Sequence, residues 1–212
     1  MTQVFLASRN PKKIEEMRRI LAESMSDHGG PDIEVVGLDD VPAYDEPVED
    51  QPTFEGNALL KARAGLAATG LPSIADDSGL CVDALNGMPG VLSARWSGRP
   101  QSDRRLADAR NNTLLLEQLA DVPDERRGAH FTCAVAFCAA GMDELVVEGR
   151  MDGRIIHETR GSGGFGYDVV FVAHEFPDHT TAELDPPDKD AISHRGRALR
   201  EIAPRIAALL SA

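Results

Sequence analysis

Ile74-Ala75-Asp76-Asp77-Ser78-Gly79-Leu80 is the stretch from which the rest of the 212-residue chain is best read. Ser73, Ile74 and Ala75 follow a Gly70/Pro72 stop and form a short apolar run, the pattern of a buried strand. Two adjacent carboxylates then stand at the carboxyl end of that strand, where open α/β sheets place their ligands. The strand is expected over Ser73–Ala75, ending in Asp76-Asp77-Ser78-Gly79. Because side chains alternate along a strand, only one carboxylate points into a given site unless the strand has ended. Oxygen ligands so placed suit Mg²⁺, and either acid could orient a water. The plainer reading is a turn with an Asx cap.

Towards the N-terminus, Val4-Phe5-Leu6-Ala7 reads as a second buried strand. Asn10-Pro11 supplies an N-cap and a first-turn proline to a helix carrying Ile14, Met17, Ile20 and Leu21. Residues 33–36 read as a strand and 39–52 as an acidic, proline-bearing loop. Thr53 caps a helix with Ala58, Leu59, Ala62, Leu66 and Ala67, which Gly70 and Pro72 stop. On the other side, Gly87, Pro89, Gly90 and Gly98-Arg99-Pro100 mark loops before a helix over 102–119. Residues 131–139 and 144–151 read as a hairpin, with Ile155-Ile156 extended after it. Glycines at 161–166 lead into a strand over 167–172, and a last helix over 196–210 is expected to kink at Pro204. Strands alternating with helices early and a hairpin in the middle predict a mixed α/β sheet with helices packed on it.

Lys and Arg number 22 against 35 Asp and Glu, a net charge of −13, which argues against a general nucleic-acid or anionic-membrane binder. A small anionic substrate stays open, because screening over ~8 Å lets a local cationic cluster act alone. Cys81, Cys133 and Cys138 show neither a disulfide framework nor a Cys-x-x-Cys for zinc. No run approaches the ~20 apolar residues of a membrane span, and the N-terminus lacks the order of a signal peptide. A cytoplasmic protein is expected.

Three further stretches carry chemistry. Ser8-Arg9-Asn10-Pro11-Lys12-Lys13 joins a strand to a helix, and outward-facing N–H groups there make a ready anion site. Ordinary capping by Asn10 with solvated lysines is the alternative. Gly161-Ser162-Gly163-Gly164-Phe165-Gly166-Tyr167-Asp168 matches Gly-x-Gly-x-x-Gly, yet its glycines precede a strand where a dinucleotide fingerprint needs a helix. A flexible loop offering Phe165 as a wall for a planar base fits better, with a plain turn as the alternative. Lys189 and Ile192-Ser193-His194-Arg195-Gly196-Arg197 lead into the last helix, either as a phosphate-friendly cluster or as a solvated charged start.

Taken together and in this order, these stretches resemble the inosine/xanthosine triphosphate pyrophosphatase family, which removes deaminated purine nucleotides. Thr53-Phe54-Glu55-Gly56-Asn57-Ala58-Leu59-Leu60-Lys61-Ala62 and Gly90-Val91-Leu92-Ser93-Ala94-Arg95-Trp96-Ser97-Gly98 belong to the same resemblance, which spans nearly the whole chain. The resemblance implies a long mixed sheet with flanking helices in two lobes of one domain, the site in the cleft, and a homodimer. It also implies hydrolysis of ITP, dITP and XTP to the monophosphate and pyrophosphate with Mg²⁺. By the same resemblance, Ser8, Arg9, Asn10, Pro11, Lys12 and Lys13 would bind the triphosphate with Lys61. Asp77 would bind the metal and activate water, and Ser78 would touch substrate. Phe165, Gly166, Tyr167, Asp168, Lys189, His194 and Arg195 would line the nucleoside end. Arg195 and His194 are donors suited to the purine 6-oxygen.

The chain departs from the family twice. Gly56 stands where an acid often precedes the Asn-Ala pair, and Glu55 lies about 100° round the helix from it. Glu49 is therefore the first choice for a second metal ligand and Glu46 the second. Val169 replaces a proline after Tyr-Asp, which changes loop stiffness but removes no functional group. Two other readings stay open: a pyrophosphatase for other modified nucleotides, and a non-catalytic nucleotide sensor that could dispense with Asp77.

Overall fold

The structure, a computed structural model, describes residues 2–26, 33–98 and 103–211, with only the backbone for 11, 12, 22–26 and 33. Its strands are β1 (Thr2–Leu6), β2 (Ile33–Val36), β3 (Ser73–Val82), β4 (Gly128–Cys138), β5 (Leu145–Ile155) and β6 (Phe171–Ala173). Its α-helices are α1 (Pro11–Ser26), α2 (Phe54–Thr69), α3 (Arg104–Gln118), α4 (Pro186–Ile192) and α5 (His194–Leu210). The strands form one sheet in the order β2-β1-β3-β4-β5-β6. β1 runs parallel to both β2 and β3, whereas β6 runs antiparallel to β5, so the sheet is mixed as expected. Met1–Asp77, Cys133–Gly149 and His194–Ala212 form one compact unit; Ser78–Thr132 and Arg150–Ser193 form another.

In the first unit the period of two along each strand sorts side chains into two cores. Val4, Leu6, Ile74, Cys133, Val135 and Phe137 pack with Met17, Ile20 and Leu21 of α1 and Leu199, Ile202 and Ile206 of α5. Phe5, Ala7, Ala75, Ala134, Ala136 and Cys138 pack instead with Ala58 and Ala62 of α2. Cys133 and Cys138, five apart on β4, thus fall on opposite faces. The small residues of α2 permit close approach: a Cβ on Gly65 would lie only 3.0 Å from the Phe5 ring. Thr53 caps α2 by accepting the Gly56 N–H at 3.1 Å, and Gly70 ends it in the left-handed region at φ 73°.

The second unit is centred on Leu80, Val82, Leu115, Phe131, Met151, Ile155, Tyr167 and Phe171. Phe131 and Phe171 meet edge to face at 4.8 Å between ring centroids. Arg127, 1% exposed, donates from Nε to the Ile155 carbonyl, from Nη1 to those of Leu119 and Val122, and from Nη2 to that of Ile156. One buried guanidinium therefore satisfies carbonyls from two separate segments.

Several expected boundaries move. β3 does not stop at Asp76 but continues through Asp77, Ser78 and Gly79 to Val82, because it is paired within the sheet and its acids are met by cations rather than by a turn. The strand expected over 167–172 shrinks to Phe171–Ala173, since the Val170 N–H bonds the Tyr167 carbonyl at 3.0 Å and folds 167–170 into a turn. α4 was not foreseen, and the last helix starts at His194 and runs on through Pro204. The helix expected over 102–119 is α3, capped by Asp103, whose carboxylate accepts the Arg105 and Leu106 N–H groups. Arg99, Pro100 and Ser102 lie outside the described residues.

Candidate active site

In the first unit, alternation along β3 gives its two acids different partners. Asp76, 2% exposed, belongs to the face covered by α1 and α5. Its Oδ2 accepts from Lys13 Nζ at 2.9 Å and from Arg195 Nε and Nη2 at 3.2 Å each. Arg195 Nη1 donates to Glu16 Oε2 at 2.6 Å, so one guanidinium, itself 1% exposed, ties α5 to α1 and β3. Burial alone would raise the Asp76 pKa, but the surrounding Lys13, Arg195 and Lys61 hold it well below the usual carboxylate range. Cys133 lies 3.8 Å from the same carboxylate, and burial together with Asp76 pushes its thiol far up.

Asp77, 7% exposed, belongs to the face covered by α2. Its Oδ2 accepts from Asn57 Nδ2 at 3.0 Å and its Oδ1 from Lys61 Nζ at 3.2 Å. The same ammonium reaches Glu49 Oε1 at 2.7 Å. Asn57 is fully buried, and its Oδ1 accepts the Gln51 N–H at 3.0 Å, so one amide fixes both Asp77 and the end of the acidic loop. Burial first and Glu49 second raise the Asp77 pKa, against the pull of Lys61, Lys13 and the Asn57 bond. Burial pulls Lys61 down, yet Asp77, Asp76 and Glu49 more than offset it, so the ammonium stays charged.

Two carboxylate oxygens thus converge on one cation, an all-oxygen donor set that fits Mg²⁺. No group of three or more His, Cys, Asp or Glu among the described residues is placed to hold a metal ion. Asp77 and Glu49 are the two carboxylates that could hold a metal ion here. Glu46, the second choice, is instead paired with Arg9 at 3.2 Å.

Around this centre, the Asn10 carbonyl accepts the Ile14 N–H as the first bond of α1, and Ser8 Oγ accepts the Asn10 N–H at 3.4 Å. Arg9 is exposed and also donates to the Tyr44 carbonyl at 3.1 Å. The side chains of Pro11 and Lys12 lie outside the described residues. His194, 8% exposed, heads α5; a Cβ on Gly149 would overlap its carbonyl, so Gly149 is what lets α5 start so close to β5.

The second unit holds its own cluster, built on Asp168. Its Oδ2 accepts the Phe165 N–H at 2.8 Å and Lys189 Nζ at 2.5 Å, and its Oδ1 accepts Thr181 Oγ1 at 2.8 Å. Lys189 Nζ also stands 5.3 Å from the centroid of the Phe165 ring. Tyr167 is buried and donates its hydroxyl to the Ser93 carbonyl at 2.9 Å. Ser78, half-buried, follows Asp77 on β3.

Arg195, expected at the nucleoside end, donates from Nη1 to Glu16 and from Nε and Nη2 to Asp76 in a buried position. Arg195 therefore positions Asp76 and ties α1 to α5. Sequence reading missed Glu16 and Asn57. Glu16 lies on the inward face of α1, three and four residues from Lys13 and Ile20, a spacing that could have shown it.

The chain matches the Ham1 family model over residues 4–205. It is 58% identical over 209 residues to a dITP/XTP pyrophosphatase of Nocardia farcinica, covering 99% of this chain and 97% of that one. It is 53% identical over 212 residues to a dITP/XTP pyrophosphatase of Mycolicibacterium paratuberculosis, covering 100% and 99%. Among solved structures, the nucleoside-triphosphatase / dITP/XTP pyrophosphatase of Mycobacterium abscessus superposes with a TM-score of 0.74 at 52% identity, over 97% and 100% of the two chains. A HAM1 protein from Coxiella burnetii gives 0.81 at 37% identity, over 100% of each chain. A match this long and this similar means that the chain belongs to the Ham1 family.

Proposed function

We propose that this chain hydrolyses deaminated purine nucleoside triphosphates (ITP, dITP and XTP) to the monophosphate and pyrophosphate, with Mg²⁺ as its cofactor. The observation that carries the reading is the split between the two acids of β3. Asp76 is captured by Lys13 and Arg195, whereas Asp77 shares one ammonium with Glu49 and is aimed by Asn57. Neighbouring acids with environments that push their proton affinities apart are the usual basis for separate roles. The names of the relatives support the same chemistry.

In this mechanism Asp77 accepts a proton from a water aligned with the α-phosphorus. The new P–O bond forms as the bond to the bridging oxygen breaks, and pyrophosphate departs. Lys61 and Lys13 stabilise charge on the phosphoryl oxygens, and Asp76 keeps Lys13 aimed. Asp77 and Glu49 would hold Mg²⁺, which when bound would supply Lewis-acid polarisation of those oxygens. Asn57 fixes the Asp77 rotamer, so little reorganisation is needed at the moment of reaction. Phe165 supplies a face for the purine, with the Asp168–Lys189–Thr181 network stiffening its loop.

No helix among the described residues is long and apolar enough to cross a membrane. A nucleotide-pool role would place the protein in the cytoplasm, and a homodimer is the assembly we expect. Pyrophosphate release from ITP, XTP, dITP, ATP, GTP and dUTP, with and without Mg²⁺, tests the proposal. Release confined to Mg²⁺ and favouring the deaminated purines supports it; equal rates on ATP and GTP would reject it.

A further inference from the structure

Helix α3 carries two adjacent asparagines, Asn111 and Asn112, that are 3% and 4% exposed. Asparagine is a poor helix former, and a buried amide is costly unless it is paired. Hydrophobic packing accounts for neither. Asn111 is explained locally: its Oδ1 accepts the Ser97 N–H at 2.8 Å and its Nδ2 donates to the Ser93 carbonyl at 3.2 Å.

Asn112 points to something else. Its Nδ2 donates to the Gly166 carbonyl at 2.8 Å as well as to the Asp108 carbonyl at 2.9 Å. Both partners are carbonyl oxygens, so the amide nitrogen must face them. One turn earlier, Asp108 Oδ2 accepts the Gly166 N–H at 2.9 Å. Residues four apart on one helix face therefore grip the same glycine by its donor and its acceptor.

Gly166 sits at φ 62°, and Gly164 at φ 67°, on either side of Phe165. A loop with this much backbone freedom loses much entropy when it is ordered, and Phe165 could not hold one orientation without outside restraint. That restraint comes from both directions. Asp168 accepts the N–H of Phe165, and α3 clamps the residue that follows.

We propose that Asp108 and Asn112 are positioning residues for base recognition: they clamp Gly166 so that Phe165 presents its ring as a preformed wall for the purine. The inference rests on the function proposed above and deepens it. A preformed wall removes an ordering cost at binding, so the clamp should act on affinity for the nucleoside end rather than on the chemical step.

The test uses the full chain, with ITP and Mg²⁺ as substrate and inorganic tripolyphosphate as a competitor that has no base. Failure of the unaltered protein to release pyrophosphate from ITP would overturn the functional reading itself, before any variant is compared. Given that activity, Asp108→Ala should raise KM for ITP about 5- to 10-fold, the size of one lost backbone hydrogen bond, with kcat within about 2-fold. Inhibition by tripolyphosphate should not change. Asp108→Asn retains an acceptor oxygen and should restore KM. Asn112→Asp is isosteric but turns a carbonyl towards a carbonyl, and it should reproduce the Asp108→Ala defect; it also decides the matter if Asp108→Ala does not fold. An unchanged KM for ITP in the folded variants would overturn the proposal. So would a rise matched by an equal weakening of tripolyphosphate, which would mark general damage instead of a base-side role.

Discussion

Replacing Arg195 by Met keeps an apolar stem of similar length and deletes the guanidinium that joins Glu16 to Asp76. The ion pair to Glu16 is 2.6 Å long and that to Asp76 3.2 Å, with side-chain exposures of 2% for Arg195, 7% for Glu16 and 1% for Asp76. Solvent cannot take over the lost contacts. Removing one partner of such a buried pair costs about 3–5 kcal/mol, because uncompensated charge remains inside. At about 2–4 °C per kcal/mol for a chain of this size, the melting temperature should fall by roughly 6–20 °C near neutral pH. The drop should depend on pH in a defined direction. Asp76 has its pKa depressed in the folded state, so it contributes stability above its ordinary value of 3.8, and that contribution is lost as pH falls. Arg195 supplies part of the depression, so the gap between the two proteins should narrow as pH falls below 3.8. Calorimetry at pH 7 and at about pH 3 reads both effects. A fall of under about 2 °C at neutral pH, or a gap that widens in acid, would refute the buried hub.

Other substitutions separate catalysis from structure. Asp77→Asn should cut ITP turnover by at least about 10²-fold as the loss of a general base. Glu49→Gln should raise the Mg²⁺ concentration for half-maximal activity and move the acid limb of the pH–rate profile lower, because Glu49 helps hold the Asp77 pKa up; an unchanged metal titration would remove Glu49 from the site. Gly149→Ala places a Cβ against the His194 carbonyl and within 2.7 Å of the Ala198 nitrogen, so it should cost about 1–3 kcal/mol by thermal or urea unfolding.

Local chemistry was legible in the sequence wherever one residue dictates backbone geometry. Thr53 and Gly70 bracket α2 because a hydroxyl cap and a left-handed stop are local devices. The β3 acids were legible as a site, but their strand was cut short, because an Asp-Asp-Ser-Gly run has turn-like composition and only pairing within the sheet overrides it. Arg195 was visible as a donor but not as a buried one, since its partners lie 119 and 179 residues away in the chain. The family resemblance pointed to Phe165 and Asp168, yet not to Asp108 and Asn112, whose role depends on where a helix passes a loop 54 and 58 residues distant. Long-range polar pairing leaves no period in the sequence, so pattern reading cannot recover it.

The central claim is that Asp77 directs water to the α-phosphorus, so that the bond broken lies between that phosphorus and the bridging oxygen of the departing pyrophosphate. Hydrolysis of ITP in water enriched with heavy oxygen, with both products analysed by mass spectrometry, tests this directly. One labelled oxygen should appear in the inosine monophosphate and none in the pyrophosphate, with no orthophosphate formed. Label in the pyrophosphate, or release of orthophosphate as the first product, would contradict it.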